Sequence, residues 1–437
     1  MGLGVEIMRV CVQGLWHLGT VTAACLTSLG NVVTGFDDNI EIIDALNQGI
    51  PPIFEPGLEE LLKQGISEGR LTFSSDPGEA VKDIELLWIA YDTPVDDDDN
   101  ANVDYVISRT ERTLPFLPRG VTVLVSSQMP VGSIRQLESI AETRFPEKSL
   151  TFACSPENLR LGKALDVFLS PDRIVVGARS EEDRGRLSSL LRPITDRIEW
   201  MSVESAEMTK HAINAFLAIS VTFANEIASI CELVGADAKE VERGLKSEKR
   251  IGPKAYLSPG AAFAGGTLAR DISFLNKLGE EKHLSTPLLC SVKASNDEHK
   301  KWVKRRLLAT FPDISKISVA VWGLTYKPGT DTLRRSMSVE LCEWLVLKGV
   351  SVHVHDPAVR SLPLSLEKVR RVDNALEALE GVQALVISTE WDEYKKNTPE
   401  EIARIAPGIL ILDANRFLSS FAGNNSLRYL AVGSPGF

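Results

Sequence analysis

The sequence predicts an α/β fold in which two doubly wound Rossmann-like domains are joined by a long central helix. Near the N-terminus a strand, a glycine turn, a helix and a second strand follow one another, and further short apolar runs alternate with helical segments. A second series of such runs begins at residue 317. We therefore place an N-terminal Rossmann-like domain at residues 8–202, a central helical domain at 203–300 and a C-terminal Rossmann-like domain at 301–437.

In the first strand–helix–strand unit, a glycine and an aspartate mark where the apolar runs end. Residues 9–13 form an apolar run that ends at Gly14, a helical stretch continues to residue 29, and residues 31–36 form a second run before Asp37. This order predicts one βαβ unit. Later apolar runs predict further strands of the same parallel sheet, at residues 84–90, 121–127, 150–153 and 174–177.

The middle of the chain has a different pattern. Residues 203–234 show apolar side chains at helical spacing with neither proline nor glycine, which predicts one helix of about 45 Å. Residues 251–266 are rich in glycine, proline and alanine and predict a loop. The second series then reads ISVAVWG, VSVHVHDP, ALVISTEW and ILILDANR.

Composition excludes several classes of protein. With 48 basic and 59 acidic residues the net charge is −11, which argues against broad nucleic-acid binding and against a basic membrane patch. No apolar run approaches the roughly 18 residues that span a bilayer. The six cysteines and six histidines are scattered without a CxxC or HExxH pattern. We expect a cytoplasmic protein with no nucleic-acid partner, no membrane partner and no metal.

The first glycine turn resembles a dinucleotide fingerprint, G-x-G-x-x-G. Gly14 and Gly19 supply its first and third glycines, whereas Trp16 stands at the second, where the backbone approaches the pyrophosphate. Asp37, 23 residues after Gly14, stands where an acid accepts the ribose hydroxyls. The unit therefore predicts NAD binding. The indole could instead displace or block the cofactor, which would leave a βαβ unit that binds no dinucleotide.

Seven further segments occur in order along nearly the whole chain. They read NQGIPPIFEPGL (47–58), DTP (92–94), SPENLR (155–160), EMTKHAIN (207–214), RIGPK (250–254), GLTYKPGTD (323–331) and EW (390–391). With these segments the sequence resembles the UDP-glucose/GDP-mannose dehydrogenase family. The resemblance implies that the N-terminal domain binds NAD, the central region forms a homodimer, and the C-terminal domain helps to bind the nucleotide of a nucleotide sugar, with a UDP-sugar expected.

Members of this family oxidise the C6 alcohol of the sugar to a carboxylate in two hydride transfers. The resemblance implies a cysteine thiolate that captures the intermediate aldehyde, a lysine and an asparagine that stabilise oxyanion charge, and carboxylates that order water. The implied catalytic residues of this chain are Lys210, Asn214, Asp271 and Thr267. Those implied to bind the cofactor are Gly14, Trp16, Gly19, Asp37 and Thr93. Those implied to bind the substrate are Glu157, Asn158, Leu159, Arg250, Lys327 and Arg334.

The sequence departs from the family where the thiol is needed. The family's GGSCFPKD motif here reads AGGTLARD (264–271), and counting back from its final aspartate puts Thr267 at the cysteine. Pairing the two glycines instead puts Leu268 there, and neither residue is a thiol. Gln128 also replaces the threonine of STVP, and Leu161 replaces the second glutamate of PEFLREG, which acts in water-dependent steps. Substrate-binding and oxyanion groups remain, whereas groups for covalent capture and hydrolysis are gone.

Three functions agree with this set of residues. The one we expect is an NAD-dependent oxidoreductase of a nucleotide sugar that makes a single or transient hydride transfer. A complete 6-dehydrogenase that uses a different residue is a second possibility. The third is a nucleotide-sugar-binding protein without redox turnover, for which Trp16 is the main support.

Overall fold

The chain divides into two units, Met1–Ile213 and Asn214–Phe437. The computed structural model describes residues 7–94, 96, 101–157, 159–264 and 266–435. Each unit is built around one sheet. The division into three domains at residues 202/203 and 300/301 stays a prediction.

The sheet of the first unit has eight strands in the order β3-β2-β1-β4-β5-β6-β7-β8. Its first six strands follow the 3-2-1-4-5-6 order of a dinucleotide-binding fold. The expectation of a wholly parallel sheet is wrong at one pair, because β6 and β7 pair antiparallel at Cys154 and Gly177. The strands are β1 (Arg9–Gln13), β2 (Val32–Phe36), β3 (Leu71–Ser74), β4 (Leu86–Ile89), β5 (Thr122–Val125), β6 (Thr151–Cys154), β7 (Ile174–Gly177) and β8 (Ile198–Met201).

Both faces of this sheet are covered. Along β1, Val10 and Val12 belong to one hydrophobic cluster and Cys11 to another, as expected when alternate side chains point to opposite faces. The helices of the unit are α1 (His17–Ser28), α2 (Ile40–Asn47), α3 (Leu58–Ser67), α4 (Pro77–Ala80), α5 (Val103–Thr113), α6 (Ser133–Arg144), α7 (Ala164–Leu169) and α8 (Glu181–Leu191). Short 3₁₀ turns lie at Leu114–Phe116 and Pro146–Lys148.

Helix α9 (Val203–Val234) has the bounds that the sequence predicts and contains residues of both units. Its length and composition alone would also allow it to cross a membrane, and 39% of its most apolar window is buried. Polar side chains along it are hydrogen-bonded inside the protein: His211 to Met129 in the first unit, and Asn225 to Gly260 in the second. These contacts show that α9 is partly packed inside each unit.

The second sheet has six parallel strands in the order β11-β10-β9-β12-β13-β14, which repeats the 3-2-1-4-5-6 arrangement. The strands are β9 (Ser318–Trp322), β10 (Ser351–His355), β11 (Arg370–Arg371), β12 (Ala384–Ile387), β13 (Leu410–Asp413) and β14 (Arg428–Leu430). The helices of the second unit are α10 (Ala238–Ser247), α11 (Thr267–Glu281), α12 (Pro287–His299), α13 (Trp302–Thr310), α14 (Met337–Leu347) and α15 (Pro399–Ile405). Its 3₁₀ turns are Ile314–Lys316, Leu364–Leu366, Glu377–Leu379, Asp392–Lys396 and Ser419–Phe421.

Candidate active site

The glycine turn after β1 has the close contacts that a dinucleotide fingerprint requires. Gly14 has φ +93°, and its N–H donates to the carbonyl of Phe36 at 2.9 Å. A Cβ atom on Gly14 would lie 2.6 Å from the ring of Tyr91, and one on Gly19 would lie 1.7 Å from the carbonyl oxygen of Gly14. Both positions therefore demand glycine, and the tight turn leads directly into the N-terminus of α1, where backbone N–H groups favour phosphate.

Trp16 stands between these glycines as the N-cap residue of α1. Its side chain is 46% exposed, so the indole lies at the surface beside the turn and does not fill the core. Its φ of −79° is open to any residue, and no backbone strain demands glycine there. The turn, the helix N-terminus and the position between β1 and β4, where the strand order reverses, together fit a dinucleotide cofactor.

Asp37 and Thr93 complete the residues expected to bind the cofactor. Asp37 Oδ2 accepts the N–H of Leu15 at 2.8 Å and Oδ1 accepts that of Asn39 at 3.0 Å. Since a carboxylate oxygen has two lone pairs, these bonds still allow a ribose hydroxyl to be accepted. The hydroxyl of Thr93 donates to the carbonyl of Gln128 at 2.8 Å and so joins the ends of β4 and β5.

The first unit brings Lys210 to the predicted substrate segment. Lys210 Nζ donates to the carbonyl of Glu157 at 2.7 Å and lies 3.9 Å from its carboxylate, and the lysine side chain is 12% exposed. Glu157 Oε2 accepts the N–H of Leu159 at 2.6 Å. Asn158 lies outside the described residues. A mostly buried ammonium group held at a loop carbonyl is suited to stabilise an oxyanion nearby.

Sequence reasoning missed two residues, on either side of this lysine along α9, that are hydrogen-bonded to residues 129–134. Glu207, one turn before Lys210, is buried and accepts the N–H groups of Gly132 at 2.8 Å and Ile134 at 3.1 Å. Burial raises the pKa of Glu207 despite these two hydrogen bonds. His211 Nε2 lies 2.9 Å from the carbonyl of Met129. The i−3 position of Glu207 relative to the lysine was the available signal.

The second unit joins two of the predicted catalytic residues. The side-chain amide of Asn214 donates to Asp271 Oδ2, and both residues are buried. Thr267 is the first residue of α11, one turn before Asp271, and is exposed. Leu268 packs partly against the cluster that contains Ile272, which is the contact of a core residue. Gly265 of this motif lies outside the described residues.

No cysteine among the described residues stands at the start of α11. Cys290 is the exposed one, and its Sγ lies 3.5 Å from Asn276 Oδ1. Asn276 is on α11 nine residues beyond Thr267, or roughly 13 Å further along the helix. The other five cysteines are buried free thiols. Within the described residues, the exposed thiol thus contacts the middle of α11 and not its first turn.

A cavity of about 350 Å³ lies in the second unit, where the order of the second sheet reverses between β9 and β12. Two helices, α13 and α14, begin at its wall, at Trp302 and Met337. Lys300, Lys301 and Lys304 also line it, together with Asp297 and Glu340, and Lys300 is paired with Asp297 at 3.2 Å and Lys301 with Glu298 at 2.7 Å. Helix N-termini and ammonium groups favour an anion such as a diphosphate.

The basic residues that were predicted to bind the substrate, Arg250, Lys327 and Arg334, are not among the residues that line this cavity. Lys327 is partly buried in the segment after β9, and Arg334 is exposed before α14. Arg250 lies in the segment after α10 with its side chain 88% exposed, and its Nε is 3.1 Å from Glu248. Their expected contacts with substrate stay predictions.

Comparison with known proteins gives one consistent result. Residues 8–195, 204–298 and 320–420 match, in turn, the NAD binding, central and UDP binding domain models of the UDP-glucose/GDP-mannose dehydrogenase family. A UDP-glucose 6-dehydrogenase of Pseudomonas aeruginosa is 32% identical over 444 residues, 98% of each chain, and one of Bacillus subtilis is 32% identical over 395 residues, 89% of each. The solved UDP-glucose dehydrogenase of Pyrobaculum islandicum is 29% identical, with a TM-score of 0.87 over 99% of each chain.

Proposed function

We propose that this chain, which belongs to the UDP-glucose/GDP-mannose dehydrogenase family, oxidises a CH–OH group of a UDP-sugar-type substrate with NAD in a single or transient hydride transfer. The observation that carries the proposal is Thr267 at the first position of α11, whereas the exposed thiol of Cys290, on α12, contacts Asn276, nine residues and roughly 13 Å further along α11. Without a thiolate, the aldehyde formed by the first transfer is not held as a thiohemiacetal. It is released, or it takes the hydride back.

The retained residues suffice for one transfer. Bound NAD would supply the acceptor for the hydride. Lys210, held at the carbonyl of Glu157, stabilises the alkoxide as the alcohol loses its proton. Asp271, held by the amide of Asn214, receives that proton. The alcohol thus gives up one hydride and one proton, and no water is consumed.

The cavity of the second unit supports a nucleotide-sugar substrate. Its two helix N-termini suit a diphosphate, and the UDP binding domain match, residues 320–420, covers the lining residues from Thr325 to Asn415. Reduced cysteines buried in both units are in keeping with a cytoplasmic location.

We also propose that the protein forms a homodimer. On the part of α9 within the second unit, Phe216, Phe223 and Ile230 recur every seven residues and are 66%, 45% and 54% exposed. Large apolar side chains at this spacing form a seam along one helix face, and such a seam is typical of a helix that packs against a second helix. A second copy of the chain is the partner we propose.

Counting NADH tests the proposed reaction. Purified protein is incubated with NAD and a panel of UDP-, GDP- and TDP-sugars, and products are identified by NMR. One NADH per sugar, or an epimerised sugar without net NADH, agrees with the proposal. Two NADH per sugar would show a complete 6-dehydrogenase and refute it. An unchanged sugar that still binds would favour the binding protein.

A further inference from the structure

A buried carboxylate contacts the glycine turn of residues 14–19, which we call the cofactor turn. Glu55 belongs to the segment between α2 and α3, and its side chain is 1% exposed. Its Oε2 is 3.0 Å from Nε2 of His17, the first residue of α1. Burial disfavours the charged form, but the hydrogen bonds from His17 and from two backbone N–H groups outweigh it and lower the pKa of Glu55. Glu55 is therefore an anion attached to the cofactor turn.

The two backbone donors come from the end of the predicted substrate segment. Glu55 Oε2 accepts the N–H of Gly162 and Oε1 accepts that of Ala164, each at 2.8 Å. Gly162 has φ +85°, and Ala164 is the first residue of α7. One carboxylate therefore joins the start of α1 to the point where the segment from residue 155 turns into α7.

The same segment also holds Lys210. Glu157, five residues before Gly162, presents its carbonyl to the ammonium group of Lys210 at 2.7 Å. Within the first unit, contacts thus join His17 to Glu55 and Glu55 to Gly162 and Ala164, while Glu157, five residues earlier in the chain, contacts Lys210. The residues that hold Glu55 and the residue that holds Lys210 therefore lie within one short stretch of chain.

We propose that His17 and Glu55 are positioning residues that hold the substrate segment at a fixed distance from the cofactor turn. This inference rests on the proposed function only for its kinetic consequence. Neither residue touches the reacting atoms. His17 supplies the side-chain donor among the three that satisfy the carboxylate, so its loss leaves a buried charge with two backbone partners and loosens the segment.

Substitution of His17 tests the kinetic consequence. His17→Phe keeps a ring of similar size without its N–H groups, whereas His17→Gln keeps an N–H donor. We expect His17→Phe to raise KM for the nucleotide sugar about tenfold and KM for NAD less than threefold, with His17→Gln close to the parent protein. Ser28→Ala, which removes a hydrogen bond to Cys25 at the far end of α1, is the matched control and leaves both constants unchanged.

Hydrogen exchange tests the contact without cofactor or substrate. The N–H groups of Gly162 and Ala164 should exchange roughly tenfold faster in His17→Phe and in Glu55→Gln than in the parent and in Ser28→Ala. Unchanged exchange at both N–H groups overturns the inference whatever the enzyme does. Faster exchange with no turnover in the parent protein would sink the proposed function and leave the positioning contact standing. An equal rise in both KM values, not rescued by glutamine, would also overturn it.

Discussion

The hydroxyl of Thr267 is a poor nucleophile, but the position of Thr267 favours a thiolate. A side chain at the first residue of α11 faces the positive end of a helix dipole, which lowers the pKa of a thiol placed there. We expect Thr267→Cys to capture the aldehyde and to release a second NADH. Because Leu161 replaces the glutamate implied in hydrolysis, the thioester should accumulate as a single-turnover burst. Intact-protein mass spectrometry detects the adduct.

Thr267→Ser is the control for this burst, since it keeps a hydroxyl at the same place and should form no adduct. A second equivalent of NADH from the serine variant would contradict the role of the thiol. Thr267→Cys with no adduct, although the parent protein makes one NADH per sugar, would show that Thr267 does not face the aldehyde.

Trp16 is the residue most open to a direct test of cofactor fit. Its indole is 46% exposed, so Trp16→Gly removes little core packing, and glycine is tolerated at a helix N-cap. We expect the affinity for NAD to tighten about tenfold as the backbone becomes accessible to the pyrophosphate. Isothermal titration calorimetry measures the change. Trp16→Phe, which keeps a Cβ and an aromatic ring, should gain much less. Equal affinity in all three proteins would show that the indole does not obstruct the cofactor.

At the scale of elements, the proposed homodimer depends on the exposed seam of α9. A charge at its centre, Phe223→Asp, would have to be buried without a partner in a helix–helix contact. We expect this variant to run as a monomer in size-exclusion chromatography with light scattering where the parent is a dimer. Leu347→Asp, at the end of α14 and 85% exposed, places the same charge on another apolar surface position and should not change the mass. A parent protein that is already monomeric would contradict the role of the seam.

Strong local patterns made most of the strands, the first helix and the long helix α9 predictable. β1, β7 and α9 have the predicted bounds, because an apolar run or an uninterrupted helical period decides each of them alone. The strands that were missed carry few apolar residues or lie at sheet edges: β3 (LTFS), β8 (IEWM), β11 (RR) and β14 (RYL). Their pairing with a neighbouring strand makes them strands, and such pairing cannot be predicted from a run of two to four residues.

Site residues that a local pattern specifies were likewise predictable, whereas those that depend on contacts distant in sequence were not. Glycine at positions 14 and 19 follows from local backbone geometry, which a motif records. The role of Glu55 depends on Gly162 and Ala164, 107 and 109 residues away, so no local pattern could indicate it. Glu207 likewise serves N–H groups more than 70 residues earlier in the chain.

At the scale of the molecule, the turn after β1 in the first sheet and the turn after β9 in the second sheet have the same geometry. Gly14 and Gly323 both have positive φ, near +90°, and in each turn the next residue donates its N–H to an aspartate, Leu15 to Asp37 and Leu324 to Asp356. The helices that follow differ: α1 begins three residues after its glycine, whereas α14 begins 14 residues after the second. Of these two turns, the first leads directly into a helix N-terminus, as a dinucleotide-binding turn does, and the first unit is the one that matches the NAD binding domain model.

The aspartate of the second turn is also committed to structure. Asp356 Oδ2 accepts the N–H of Leu324, the N–H and hydroxyl of Thr325, and the indole N–H of Trp391, at 2.7 to 3.2 Å. Asp37, by contrast, uses each oxygen once. A carboxylate oxygen that already accepts four hydrogen bonds has little capacity left for a ribose hydroxyl. This agrees with the match of the second unit to a UDP binding domain and not to an NAD binding domain.

Two histidines make the stability of the second unit depend on pH. Burial lowers the pKa of both His299 and His355 below the usual 6.5. His299 Nε2 lies 2.8 Å from the carbonyl of Gly260, and His355 Nδ1 lies 3.2 Å from the hydroxyl of Tyr394. Above pH 6.5 both states of the protein hold neutral imidazoles. As the pH falls below 6.5, the unfolded chain takes up protons that the folded chain does not, so stability is lost until the lower folded pKa is reached.

We therefore expect the free energy of unfolding of the second unit to fall between pH 7 and pH 5.5 by up to about 1.4 kcal/mol per pH unit for each histidine. Urea unfolding followed by tryptophan fluorescence measures it, since Trp322 is fully buried in the second sheet. His299→Gln should flatten the slope by as much as one histidine contributes, because glutamine does not titrate. His283→Gln, at an exposed histidine, is the control and should leave the slope as it is. A slope that the His299 variant does not change would mean that this imidazole titrates alike in the folded and unfolded chain.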